Sequence, residues 1–146
     1  MYHYLESGLR NVYLRNGYKL SKSPYGDTVA IQDLPGLHKA LAMKLVMKPA
    51  KLSGTEIRFL RKEMELSQAS LCAMLGVNVQ TLAAWEKGGT KITAPSDKLL
   101  RLVVKGTYSG TVPVLKIIEA LNNMDLQQHE SKLVFREEGN KWVAAA

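Results

Sequence analysis

Residues 66–88 read LSQASLCAMLGVNVQTLAAWEKG, and their reading decides the fold. Ser67 can cap a helix over Gln68–Leu75, because its hydroxyl accepts an orphan backbone N–H. Gly76 supplies the left-handed backbone that a sharp turn needs. Asn78 then caps a second helix to about Glu86, and Lys87-Gly88-Gly89 stops it. Leu71, Cys72 and Leu75 face inward from the first helix, Val77 plugs the turn, and Leu82 and Trp85 face inward from the second. Cys72 falls where the two helices cross, a place that demands a small side chain. Val79, Gln80, Ala83, Ala84 and Lys87 are left on the outer face of the second helix.

Two short helices about a tight turn, the second with a face free of core duties, is the arrangement that inserts a helix into a DNA major groove. The flanks fit a small bundle around this pair. Ser53-Gly54-Thr55-Glu56 is a capping box, followed by Ile57, Leu60 and Met64 at helical spacing. Pro95 suits the first turn of a further helix to about Lys105, with Leu99, Leu102 and Val103 expected inward.

The segment from Ser53 to Lys105 resembles the helix-turn-helix domain of the Xre/Cro/C1 repressor family. The residues that carry the likeness are Leu66-Ser67-Gln68, Leu71, Leu75-Gly76-Val77 and Thr81-Leu82 followed by Trp85-Glu86-Lys87-Gly88. The resemblance implies that Gln68 meets a phosphate or positions its helix, and that Gln80 reads bases, since its amide can pair with adenine N6 and N7. It further implies that Thr81 bonds a phosphate and that Lys87, Thr90 and Lys91 contact the backbone. Asn78 and Val79 lead the reading helix. Ala83 and Ala84 stand where the family often carries polar readers, so direct readout is thin. Apolar contact with a thymine methyl remains open to them, and DNA shape or a second half-site would contribute.

Outside this segment the signals are weaker. Asn11–Tyr18 and Asp27–Ile31 read as strands joined by Ser23-Pro24-Tyr25-Gly26. A helix from Pro35-Gly36 to about Met47 carries Leu37, Leu41 and Leu45 every four residues, with Ala40 and Val46 beside them, and Pro49 ends it. Residues 107–110 read as a linker and Pro113 to about Gln128 as an amphipathic helix. Lys132–Arg136 and Lys141–Ala144 form a hairpin candidate about Glu137-Glu138-Gly139-Asn140. The fold class expected is α+β, mainly α. It comprises a module over 1–50, a four- to five-helix repressor-like bundle over 51–106, and a C-terminal helix with hairpin over 107–146.

The 146 residues carry a net charge of +7, and the excess sits on the first two thirds. Such a balance favours polyanions, nucleic acid foremost. With 46% hydrophobic residues a packed core is expected. No apolar run approaches the ~20 residues that span a bilayer, and the N-terminus lacks a signal-peptide layout. A cytoplasmic, nucleoid-associated location is expected. Cys72 is the one cysteine, so no intramolecular disulfide or multi-cysteine zinc site can form. His3, His38 and His129 show no paired spacing for a metal. No phosphate loop, HExxH or GxSxG is present, so neither enzyme chemistry nor a cofactor is expected. The tyrosines Tyr2, Tyr4, Tyr13, Tyr18 and Tyr25 suit a packed strand face better than base stacking.

These readings converge on a homodimeric repressor of double-stranded DNA, with autoregulation expected. Two alternatives stand beside it. A β-rich module ahead of a repressor domain is similar to antitoxins of the MqsA/HigA kind, in which residues 1–50 would bind a toxin. MqsA-like modules hold zinc with CxxC pairs, and Leu5-Glu6-Ser7-Gly8 offers no thiolate, so zinc is not carried over. The second alternative is a protein-binding adaptor that keeps the fold without binding DNA.

Overall fold

The computed structural model describes residues 1–110, Lys116 and residues 132–145. The chain runs β1 (Tyr2–His3), β2 (Tyr13–Leu14), β3 (Tyr18–Ser23), β4 (Gly26–Ile31), α1 (Leu34–Val46), α2 (Gly54–Glu63), α3 (Gln68–Leu75), α4 (Val79–Glu86), α5 (Ala94–Ser109), β5 (Phe135–Glu138) and β6 (Lys141–Ala144). The strands form three antiparallel two-stranded sheets, β1 with β2, β3 with β4 and β5 with β6. The fold is α+β, mainly α, as expected.

The local signals explain the helix ends. The capping box at α2 is complete: Ser53 Oγ accepts from the Glu56 N–H while the Glu56 carboxylate accepts from the Ser53 N–H at 2.8 Å. Ser67 and Asn78 cap α3 and α4. Gly76 adopts φ +70 between them, where a Cβ would be strained.

One buried cluster runs from Leu9 through Ala42 and Val46 of α1 to Ile57, Leu60, Leu71, Leu82, Trp85, Ile92, Leu100 and Val104. The first helix therefore packs into the same core as the helical pair. Each fully buried aliphatic side chain contributes about 1.5–3 kcal/mol through its removal from water. Polar clamps fasten the joints. Asp97 of α5 accepts from the Leu52 N–H at 3.0 Å, and Arg101 donates to the carbonyls of Val46, Lys48 and Ala50, fixing the chain between α1 and α2. Buried Tyr4 meets His38 Nε2 at 2.7 Å, and His38 Nδ1 meets Glu63 at 2.5 Å, which ties the N-terminus to α1 and α2. Burial pushes the Tyr4 hydroxyl above its ordinary range, and burial followed by the Glu63 carboxylate does the same to Tyr108, so both remain phenols.

Several expectations are corrected. Asn11–Tyr18 is not one strand: bends and Gly17, at φ +79, separate β2 from β3, whose ladder runs from Tyr18↔Ile31 to Ser23↔Gly26. In α1 the buried residues are Ala42 and Val46, with Leu37, Leu41 and Leu45 half-buried and Ala40 exposed. On α5 the inward face is Leu100, Val103 and Val104; Leu99 is half-buried and Leu102 exposed, because Asp97 and Arg101 rotate the helix onto the α1–α2 joint. That helix also continues through Ser109, so residues 107–109 are no linker. Glu137 and Glu138 lie within β5 rather than in the turn, which is Gly139-Asn140 at φ +57 and +64, the backbone favoured in tight hairpins. The helix read over Pro113–Gln128 lies outside the described residues, apart from Lys116.

Candidate nucleic-acid interface

The arrangement of α3 and α4 starts from α2. Arg61 forks onto Glu86 with two bonds of 2.9 Å, from Nε to Oε2 and from Nη2 to Oε1. Its remaining nitrogen donates to the Leu66 carbonyl at 3.0 Å, just ahead of α3. The Gln68 amide reaches Glu86 Oε1 at 3.4 Å. One residue from each of three helices, with the Leu66 carbonyl from the loop between α2 and α3, thus shares one polar junction at the end of α4. Planar bidentate pairing fixes orientation as well as distance. Leu82 and Trp85 hold the other side of α4 in the core. Cys72 donates weakly to the Asn78 carbonyl at 3.4 Å, and burial pushes its thiol up, so it remains a protonated packing group.

What α4 turns outward follows from this anchoring. Asn78, Val79, Gln80 and Lys87 are exposed, while Ala83 and Ala84 are half-buried on the same side. Gln80, Ala83, Ala84 and Lys87 recur at intervals of three and four, one helical face. Asn78 spends its amide oxygen on the Thr81 N–H at 2.8 Å and the Thr81 hydroxyl at 2.7 Å, which leaves the Asn78 amide hydrogens directed elsewhere. Thr81 is half-buried, and its hydroxyl proton is committed to that cap. Gln68 is half-buried at the start of α3 with its amide on the junction, so its geometry is that of a positioning group.

Thr90 and Lys91 are exposed in the loop after α4. They line a cleft of about 530 Å³ against the start of α2, where Lys51, Ser53 and Gly54 form the facing wall. The expected backbone contacts therefore divide into the end of α4, with Lys87, and this cleft, with Thr90 and Lys91. Lys51 adds a basic side chain that the sequence reading left out; its place immediately ahead of the capping box was the available signal. Arg61 and Glu86 were also missed as a pair, being 25 residues apart in the chain.

Residues 57–106 match a protein-family model described as Helix-turn-helix. This part of the chain is a helix-turn-helix domain of the Xre/Cro/C1 type. The match supports a DNA-binding regulator, the class to which such domains belong. The chain matches no curated protein and no solved structure. Within the matched residues, α3 and α4 form the helical pair about Gly76. Among the described residues no three His, Cys, Asp or Glu side chains gather into a metal-sized group, and no helix is long and apolar enough to cross a membrane.

Proposed function

We propose that the chain is a sequence-specific repressor of transcription that places α4 in the DNA major groove and acts as a homodimer on a palindromic operator. The observation that carries this reading is the outer face of α4. It is held by the Arg61–Glu86 fork and presents Gln80 as its one long uncharged polar side chain, with apolar Val79, Ala83 and Ala84 around it and Lys87 at its end. Asn78 lends its amide donors at the groove end of the helix. Thr81 stiffens that end through the cap, and Gln68 braces the helix from α3. Lys87, Thr90, Lys91 and Lys51 lie along the phosphates and supply salt-sensitive affinity. A short reading face of this kind gives little discrimination alone. Two copies on half-sites one helical turn apart compensate for it. The protein works on the nucleoid in the cytoplasm, and its own promoter is the natural operator.

A selection of bound sequences from random duplex DNA tests the reading. A palindromic consensus with half-sites about 34 Å apart is the expected result. No enrichment, together with no DNA binding at low salt, would leave a protein-binding adaptor as the better description.

One observation favours a second role beside the first. The β3–β4 hairpin projects from the body with Leu20 exposed and Tyr25 99% exposed at its tip, a surface that DNA reading by α4 does not use. In an antitoxin this hairpin would grip a toxin. Co-purification with the product of an adjacent gene, lost in a Leu20→Ser/Tyr25→Ser variant, would establish that role.

A further inference from the structure

The β5–β6 hairpin carries a patch that the helix-turn-helix domain does not account for. Phe135 pairs with Ala144 and Glu137 with Trp142. Directly paired residues share a face, so Phe135, Trp142 and Ala144 stand together with Glu137, and Phe135 and Trp142 are diagonal neighbours within reach of each other. Trp142 is 75% exposed, Phe135 55%, and Leu133, just ahead of β5, 85%. A lone two-stranded hairpin with its apolar face in water is only marginally stable.

We infer that this face is the dimer interface, its occupant the same hairpin of a second copy. The inference rests on the homodimer reading above and gives it a surface. Area supports it. With about 150–250 Å² for a whole large side chain and these exposures, Leu133, Phe135 and Trp142 together present on the order of 400 Å². Two copies would withdraw on the order of 800 Å² from this patch, and the rim around it would bring the total to the roughly 1,000 Å² of a specific interface.

Charge supports it as well. The charged side chains gather on the opposite face, where Arg136 pairs with Glu138 at 3.3 Å and Lys141 stands across from Glu138, whereas the aromatic face holds Glu137 as its one ionic side chain. A strongly charged partner finds nothing to complement there, whereas a copy of the same apolar face does.

The two tryptophans make a test on the unmodified chain. Trp85 is 3% exposed and Trp142 is not, so a neutral quencher such as acrylamide reads Trp142. As concentration rises, Trp142 emission should move to the blue and lose its quenching, over the same range in which sedimentation shows the mass doubling. Phe135→Ser, which keeps Trp142, should move both transitions together to concentrations roughly tenfold or more higher.

Three outcomes would overturn the proposal. The chain sediments as a monomer throughout. It doubles in mass while Trp142 remains quenchable, placing the interface elsewhere. Or Trp142 is already shielded in the monomer, which makes another segment of the chain the occupant. Binding of Phe135→Ser to non-specific DNA at low salt separates this result from the DNA reading. Retained binding leaves that reading intact when the dimer proposal fails, and absent binding in the wild-type chain removes that reading whatever the hairpin does.

Discussion

Arg61 and Glu86 form a two-bond ion pair with 11% and 5% of their side-chain surfaces exposed. The pair spans α2 and the end of α4, and its third arm holds the start of α3 through the Leu66 carbonyl. Removing one partner leaves the other charge buried without compensation, which costs about 3–5 kcal/mol. Arg61→Ala and Glu86→Ala should each lower the unfolding free energy by about that amount in urea titrations. Arg61→Lys should not restore it, because an ammonium cannot span both carboxylate oxygens while reaching Leu66. Operator affinity measured well below the unfolding midpoint should fall as well. Full stability in Arg61→Ala would show that the fork orders nothing.

Gly54 occupies the first position of α2 with almost no room beyond its backbone. A Cβ there would lie 2.6 Å from the Glu86 carbonyl oxygen and closer still to that of Trp85. Both are backbone atoms, so the new methyl can be accommodated only if α2 and α4 move apart. Gly54→Ala should therefore destabilise by about 1–3 kcal/mol, the cost of overpacking, although alanine is the better helix former. Gly89→Ala is a useful contrast, since its Cβ would meet one carbonyl at 3.6 Å. Equal urea midpoints for the two variants would refute the close approach.

Gly54 also shows where the sequence is readable. The capping box announced that a helix starts at Ser53, because a cap is written in four consecutive residues. That α4 closes against Gly54 depends on residues more than thirty positions away, and no local pattern encodes it. Ser67, Gly76, Asn78, Leu82 and Trp85 were legible for the same local reason. On α5 the run Leu99-Leu100-Arg101-Leu102-Val103-Val104 is apolar nearly all round, so periodicity alone could not choose a face. The grip of Arg101 on three carbonyls of the α1–α2 joint chooses it and leaves Leu102 in water. Near the N-terminus, Tyr and β-branched residues favour strand throughout, and the break at Gly17 is set by its left-handed backbone.

On the proposed reading, the outer face of α4 and the loop after it would make two different kinds of DNA contact. Gln80 is the side chain able to pair with a base edge at two points, so Gln80→Ala should cost about 1–3 kcal/mol of discrimination at one position of each half-site. Affinity for unrelated DNA should change little. Lys91→Ala should weaken every sequence alike and reduce the salt slope by about one. Competition binding of matched and mismatched operators across a salt series reads both effects. An unchanged specificity ratio in Gln80→Ala would move the reading face elsewhere.

Glu56 makes the start of α2 sensitive to acid. Burial pushes its carboxyl up, but the Lys48 ammonium at 2.6 Å and the Ser53 N–H outweigh burial and hold it below the usual carboxylate range. A group whose folded value is depressed adds stability that is fully present above its unfolded value, near 4.5. That stability is lost as the pH falls through the lower folded value. The thermal midpoint of the wild-type chain should therefore hold steady from neutral pH to about pH 5 and then fall as acid is added. Glu56→Gln keeps an acceptor for the Ser53 N–H but abolishes the ion pair with Lys48. It should start from a lower midpoint at pH 7 and show a shallower decline below pH 4.5. Parallel curves for the two proteins would mean that other carboxylates govern the acid transition.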